Sequence, residues 1–443
     1  MSGLLAGTGR CALEVPRGIT LIGYGDRWRG ASGVRDPLFA TAVWLAEDGT
    51  NEALALLTLD MLCLHEEVVA RIRTEVSSRL GLPAERLMVA CSHTHAAPVA
   101  HADRASSPRR RRWIREVVER SVEAVTQAAS SPEPAALSAA AGEAHVAVQR
   151  RERAASGQVV LGVQRDGFVD RTLGVLEIAA PDGRARALIV NFACHPAVLS
   201  PRNRRVTAEW PGVMRRELEA ALGAPVLFVQ GATGDLNPDH EWGGDDPGAM
   251  ERIGCEVAQA VQKARAGLVP IDGLPLCGAR TELEVPVLER RRPDGSRESY
   301  RATGARRLGV PPFVIDPVLR HLYPWASRLR TGSSGAPVQP LEIQALRAGD
   351  FALVSHASET FSEIGAAIRS ASDVPHTFFA GYANGMIGYL PTASAHAAGG
   401  YEVEEAPLAY RVSGTYAPES AALAIERSLG LLSSLRESGA PGA

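Results

Sequence analysis

Lysine is almost absent: Lys263 is the only one, so nearly all of the 47 basic side chains are arginine. They face 50 acidic residues, for a formal net charge of −3, without the basic excess of a nucleic-acid-binding protein. The preference for arginine reads as codon bias. Paired cysteines are missing too. The six thiols (Cys11, Cys63, Cys91, Cys194, Cys255 and Cys277) are scattered, with no C-x-x-C pair. That argues against a disulfide scaffold or a zinc finger and fits a reducing compartment. No apolar run reaches the roughly 18 residues of a membrane span, and the N-terminus carries no basic leader. The expectation is a soluble, cytoplasmic protein with no stable membrane insertion and no nucleic-acid partner. No internal repeat stands out at a solenoid or propeller period. Oligomeric state is not readable from the chain.

What is present, 45% apolar and 22% charged residues in 443, is enough for a large core. A grammar recurs along it: a short apolar run, then a polar loop rich in His, Asp, Asn or Gly, then often a helical pattern. ALALLTLDML ends near Asp60, RLMVA leads to CSHTH, and RALIVNFA leads to CHP. PVLFVQGAT leads to GDLNP, FALVSHA to SETF, and HTFFAGYA to NGMIGYLPT. Each run has the length and continuous apolarity of a strand buried on both faces. Between them, LHEEVVARIRTEVSSRLGLP, WIREVVERSVEAVTQAAS, PGVMRRELEAALG and MERIGCEVAQAVQKARAG carry apolar residues at three-to-four spacing, with Gly or Pro near their ends. These are helices. The expected fold class is α/β, a mixed β-sheet core flanked by helices, as a single domain over 1–443. A long loop or flap, or a disordered stretch, is expected at about 289–337, and a closing helix after Tyr410. The arginine run Arg109 to Arg112 reads as a solvated face.

Polar residues gathered at strand exits are where α/β sheets build their sites. Ser92-His93-Thr94-His95 follows one such strand. On an extended segment two histidines separated by one residue point to opposite sides, so one would hold a metal and the other would face a substrate. His195, in NFACHP, repeats the pattern, although a strand-end histidine can also simply bond a neighbouring carbonyl. Glu359 follows FALVSHAS and by itself reads as a first-turn carboxylate on a helix dipole. Two histidines with one carboxylate, however, supply the neutral and anionic ligands of a catalytic zinc with a position left for water.

In order and spacing, the set SHTHAAP, NFACHPAVLS, GATGDLNP, HASETF, GYANGMIGYLPT and GGYE resembles the motifs of the neutral, non-lysosomal ceramidase family, from roughly Thr20 to Tyr401. The resemblance implies a zinc ion (Zn2+) held by His93, His195, Glu359 and Tyr389, the last being a residue that ligand chemistry alone would not nominate. It further implies His95 as acid/base. Arg150, with Arg151 as the alternative register, would lie beside the scissile amide, and Tyr401 would donate to the amide oxygen. Where many family members read G-D-V-S-P-N, this chain has Gly234-Asp235-Leu236-Asn237-Pro238-Asp239. With no serine in that loop, attack by a zinc-bound water is favoured, and Asp235 and Asn237 are expected to brace the site.

The implied activity is a zinc-dependent hydrolase cleaving a linear amide, an N-acyl small molecule. The missing secretion signal and C-terminal immunoglobulin-like domain make soluble amides the expected substrates in place of bilayer ceramide. A zinc esterase, lactonase or acyl transferase would use the same apparatus, and a non-catalytic zinc-containing binding protein is the alternative from another class.

Overall fold

The structure, a computed structural model, describes residues 3–24, 27, 29–100, 107–240, 245–289, 329–333, 335–410, 412 and 414–438. Most of the segment expected as a flap, residues 290–328, lies outside the described residues. Its near flank is strand: Leu276–Glu289 is one long strand, and Arg330–Thr331 pairs with the start of Pro337–Ala348.

All six apolar runs of the sequence grammar become strands, and they pair off in parallel: Ala53–Leu59 with Leu87–Cys91, Ala185–Phe192 with Val226–Gln230, and Phe351–His356 with His376–Ala380. Each parallel pair is one side of a larger mixed sheet. Two antiparallel strands precede it: Leu4–Leu13 and Leu38–Glu47 in the first sheet, Ala136–Glu143 and Thr172–Ala179 in the second, Leu276–Glu289 and Pro337–Ala348 in the third. A helix crosses between the parallel strands every time, as parallel pairing requires, spanning Glu66–Leu80, Glu209–Leu222 and Ser362–Ala371. A second helix follows each unit, at Pro108–Ser130, Pro247–Arg265 and Ser420–Ser438. The chain is therefore a threefold recurrence of one topology, which a search at solenoid periods does not find. The helices lie where their periodicity placed them, except that Pro108–Ser130 starts five residues before Trp113, capped by the side chain of Ser107.

Alternation along the strands explains the packing. Leu54, Leu56 and Met88 of the first sheet, Ile189, Leu227 and Val229 of the second, and Leu346, Leu353 and Phe378 of the third meet in one shared core. Their neighbours face outward onto helices: Leu57 and Val89 toward Ile72 and Trp113, Val190 and Phe228 toward Trp210 and Val257, Val354 and Phe379 toward Ile364 and Leu432. Both faces being buried is why these strands read as unbroken apolar runs.

The carboxyl ends of the parallel pairs converge and are tied in a closed ring. Gly381 N donates to Gln230 O at 3.0 Å and Cys91 N to Tyr382 O at 3.1 Å. The buried Gln230 side chain completes the circuit, its Nε2 donating to Ser92 O at 3.2 Å and Cys194 O at 2.9 Å. One further support carries the loop after His195. Glu209 sits at φ 61, a left-handed conformation that a bulky L-residue rarely adopts. From there its buried carboxylate accepts Leu199 N at 2.8 Å and Val198 N at 3.3 Å. Burial outweighs those hydrogen bonds and pushes the Glu209 carboxyl up to about 7.

Two outcomes are expected. Gln230→Ala removes the donor shared by two buried carbonyls and leaves a void. It should cost about 2–4 kcal/mol in chemical denaturation. For Glu209 the folded carboxyl titrates above its unfolded value, so the folded state binds more protons between the two. Its contribution falls as pH rises from about 4.5 to about 7. Thermal melts should accordingly show wild type losing ground to Glu209→Gln between pH 5 and pH 8; a constant difference would refute the assignment.

Candidate active site

Two strand exits bring three imidazoles together. His93 and His95 follow Leu87–Cys91, and His195 follows Ala185–Phe192; one ring nitrogen from each lies within 4.8 Å of those of the other two. The expectation that His93 and His95 point to opposite sides is overturned. Its premise was an extended backbone, whereas His93 has φ 65; that turn brings the two rings to 5.1 Å, edge to face. Glu359 enters from the third sheet. It does not open a helix. It forms a two-residue parallel bridge in which Glu359 pairs with Tyr389, and the helix begins only at Ser362.

The hydrogen-bond pattern fixes what the imidazoles offer. His93 Nδ1 lies 2.8 Å from Leu62 O, and His195 Nδ1 lies 2.8 Å from Thr233 O and 2.9 Å from Leu236 O. Only a protonated nitrogen can bond a carbonyl, so both Nδ1 atoms carry hydrogen and both Nε2 atoms present lone pairs. Those Nε2 atoms lie 3.3 Å and 3.5 Å from the same carboxylate oxygen, Glu359 Oε2. Burial pulls His195 down to about 4, and burial with help from His93 and His195 holds His95 well below the usual imidazole range. Both are neutral at pH 7. Lone pairs and an anion thus converge where they repel one another unless a cation intervenes. His195 Nε2 has no hydrogen-bond partner, nor has either nitrogen of His95. This donor set, neutral nitrogens plus one carboxylate with the second ring nitrogens tied to carbonyls, fits a zinc ion.

Around the cluster stand four tyrosines. Tyr382, at φ 56, lies against His93 with ring centroids 3.9 Å apart. Its hydroxyl donates to Glu359 Oε2 at 3.4 Å and is 2.7 Å from Thr233 Oγ1. Tyr410 donates to Glu359 Oε1. Tyr389 is buried between Tyr401 and Tyr410, at centroid distances of 5.8 and 6.1 Å. Burial pushes the phenols of Tyr382, Tyr389 and Tyr410 well above the usual value.

The two arginines divide their roles. Arg150 lies 5.3 Å from the Tyr389 ring and 5.9 Å from that of Tyr401, while its Nε donates to Glu402 Oε1 at 2.8 Å. Arg151 bonds the other oxygen of Glu402 and the carbonyl of Gly399, at 2.6 Å for the latter, so it anchors the Gly399–Glu402 segment. Asp235 braces the site as expected, with Ser362 N at 2.7 Å, Ser362 Oγ at 2.9 Å and Gln149 Nε2 at 2.8 Å. Asn237 departs from expectation, since its buried Nδ2 has no partner.

Sequence reasoning passed over Tyr382, Tyr410, Glu402 and Glu209. Tyr382 stands at a strand exit, in HTFFAGYA, where the grammar could have found it. The others lie in segments without that signal.

Comparison with known proteins gives a consistent placement. No curated protein sequence matches the chain. Among solved structures, neutral ceramidase from Pseudomonas aeruginosa superposes with a TM-score of 0.75 at 17% identity, over 100% of this chain and 76% of that one. A ceramidase complexed with C2 does so with a TM-score of 0.76 at 17% identity, over 100% and 77%. At such identity the likeness concerns the fold. The sequence profile described as neutral/alkaline non-lysosomal ceramidase, N-terminal, matches residues 8–242, more than half of the chain. With strand-exit histidines, a buried carboxylate and that match in hand, the chain belongs to the neutral/alkaline non-lysosomal ceramidase family, which places it among hydrolases of amide bonds.

Proposed function

We propose that the protein is a zinc-dependent hydrolase of a linear amide, an N-acyl small molecule. The observation that carries this reading is the meeting of His93 Nε2 and His195 Nε2 on one oxygen of buried Glu359, at 3.3 and 3.5 Å. His93, His195 and Glu359 would hold the metal, with Tyr389 as the fourth ligand that the family resemblance implies. Zinc, when bound, supplies a Lewis acid that makes a nucleophile available from water at neutral pH.

The chain's own residues account for the rest of the chemistry. His95 is neutral, and its ring nitrogens are shielded without partners. A base in that state can accept a proton as the nucleophile forms and return it to the departing amine. Gly23 leaves room for it: a side chain there would meet the His95 ring at 2.7 Å. The Arg150 guanidinium, beside the Tyr389 and Tyr401 rings, and the Tyr401 hydroxyl are suited to the negative charge that develops on the amide oxygen. The absence of serine from Gly234–Asp239 removes the side chain that a serine-nucleophile route would use at that loop.

A second assignment has an observation of its own. Because a ring nitrogen of His95 falls within 4.8 Å of those of His93 and His195, His95 could serve as a third nitrogen ligand, leaving no base. Metal content separates the two. On the proposed reading, purified protein carries about one zinc per chain, and His93→Ala, His195→Ala and Glu359→Ala lose it, while exposed Glu363→Ala keeps it. His95→Ala should retain zinc and most of its melting temperature yet lose roughly a hundredfold in turnover, without recovery on adding zinc. Elemental analysis of these variants, with assays on N-acyl amines and matched esters, checks each point. Zinc loss in His95→Ala would hand that residue to the metal, and faster turnover of the esters would change the bond cleaved.

A further inference from the structure

Asn237 is a donor without an acceptor. It lies in the short strand Leu236–Pro238, which pairs antiparallel with Ala147–Arg153 so that Leu236 faces Gln149 and Asn237 faces Val148. Leu236 packs into the helix-covered core of the second sheet, and Gln149 reaches Asp235 at 2.8 Å. By strand alternation Asn237 and Val148 take the opposite side, and Arg150, where the register of the ribbon shifts, donates its backbone N to Asp235 O at 2.9 Å. Both stretches border the active site: Leu236 O bonds His195 Nδ1 at 2.9 Å, and Arg150 stands over the Tyr389 ring. Asn237 is only 1% exposed, and its Nδ2 is buried without a partner, as is Arg150 Nη2. Two such buried donors left unpaired within one ribbon at the active site call for an acceptor from outside the chain.

The charges point the same way. Arg150 and Arg151 share a single carboxylate, Glu402, and among the described residues neither forms an ion pair with any other acid. Glu359 and Asp235 act on Arg150 only at a distance, and the oxygens of Asp235 are engaged by Ser362 and Gln149. In direct contact two guanidinium groups thus meet one carboxylate, in a ribbon that also carries an orphaned amide N–H. The pairing suits an anionic oxygen ligand, because guanidinium and amide donors together satisfy a carboxylate.

We propose that Arg150 and Asn237 form a carboxylate-binding pair, and that the substrate bears a carboxylate within a few bonds of its scissile amide. The inference rests on the amide-hydrolase reading and narrows it to an acidic N-acyl compound. Either half of the amide can bring the acid group, as an N-acyl amino acid or as the monoamide of a dicarboxylic acid. Asn237 is then a specificity-determining residue. It stands in the loop where this sequence departs from the serine-bearing pattern of many family members.

The experiment uses the zinc-loaded full chain and three probes of matched length: N-octanoylglycine, N-octylsuccinamic acid and uncharged N-octanoylethylamine. Binding by calorimetry and hydrolysis by amine release are both measured, for wild type, Asn237→Ala, Asn237→Ser and Asn237→Asp. At least one acid probe should bind, on the order of 10- to 100-fold more tightly than the neutral one, the range of hydrogen bonds to a charged group. Which acid it is identifies the half that carries the carboxylate. Asn237→Ala should shrink the acid-to-neutral ratio about tenfold, and Asn237→Asp should abolish it through like-charge repulsion. Equal binding of all three probes by wild type, or a ratio unchanged in the zinc-replete Ala and Ser variants, overturns the proposal. Preferential binding of an acid probe without hydrolysis of any probe would leave the carboxylate site standing and refute the amide-hydrolase reading instead.

Discussion

Everything in this structure depends on where the carboxyl ends of three parallel strand pairs are made to meet. Backbone groups leaving a buried strand have no water to bond, so they must find partners or the ends cannot come together. Here they bond one another around a ring: Gly381 to Gln230, Gln230 through its side chain to Ser92, and Cys91 to Tyr382. The approach is close enough that a side chain at Gly381 would meet Gly231 O at 2.8 Å, which is why glycine stands at this junction. Once the ring is closed, residues two to four positions past the strand ends have no choice but to share one small volume.

That shared volume is filled unequally, and the inequality makes it a site. Two residues past the fourth strand of each unit stand His93, Ala232 and Tyr382; three past the third strand come Leu62, His195 and Glu359. One scaffold position thus supplies an imidazole in one unit, a spacer in another and a phenol in the last. The backbone is bent to suit. The non-glycine residues with positive φ are His93, Glu209, Tyr382 and Asn384 among the described residues. Two of them present rings to the cluster, and Glu209 holds the turn after His195. Asn384 ties the third unit to the first, its N donating to Val89 O at 2.8 Å and its Oδ1 accepting from Val89 N at 2.9 Å. Strain of this kind persists where surrounding bonds over-determine it, and the ring of strand ends provides them.

How much of this could be read from the sequence follows from the same physics. The six central strands were legible because burial on both faces leaves an unbroken apolar run, and the helices because one face is apolar at three-to-four spacing. His93, His195 and Glu359 were legible as strand-exit residues. The direction of His93 was not, since a positive φ at a histidine leaves no mark in residue type, and the alternation rule then gave the wrong answer for His95. Tyr389 and Arg150 came only through family resemblance, and Tyr410 not at all, because its contact with Glu359 is made across 51 residues of chain. The threefold recurrence was invisible for a related reason. What repeats is the order and pairing of elements, while the side chains filling them differ from unit to unit.

Among the described residues, the second unit alone adds a ribbon at the cluster. Between its first two antiparallel strands the chain runs out through Ala147–Arg153 and Val159–Gln164, and Leu236–Pro238 returns to pair with it. This departure from the shared topology carries Gln149, Arg150 and Arg151, and it lies against the loop that holds Asp235 and Asn237. One face of the ribbon is closed: Gln149 and Asp235 satisfy each other and pin Ser362 at the start of the third unit's helix. Arg150 Nη2 and Asn237 Nδ2 of the same ribbon are left unsatisfied. Desolvating them without a partner works against folding, and on the proposed reading a substrate supplies the acceptor. On the proposed reading the threefold core holds the metal, and the asymmetric ribbon of the second unit chooses what is brought to it.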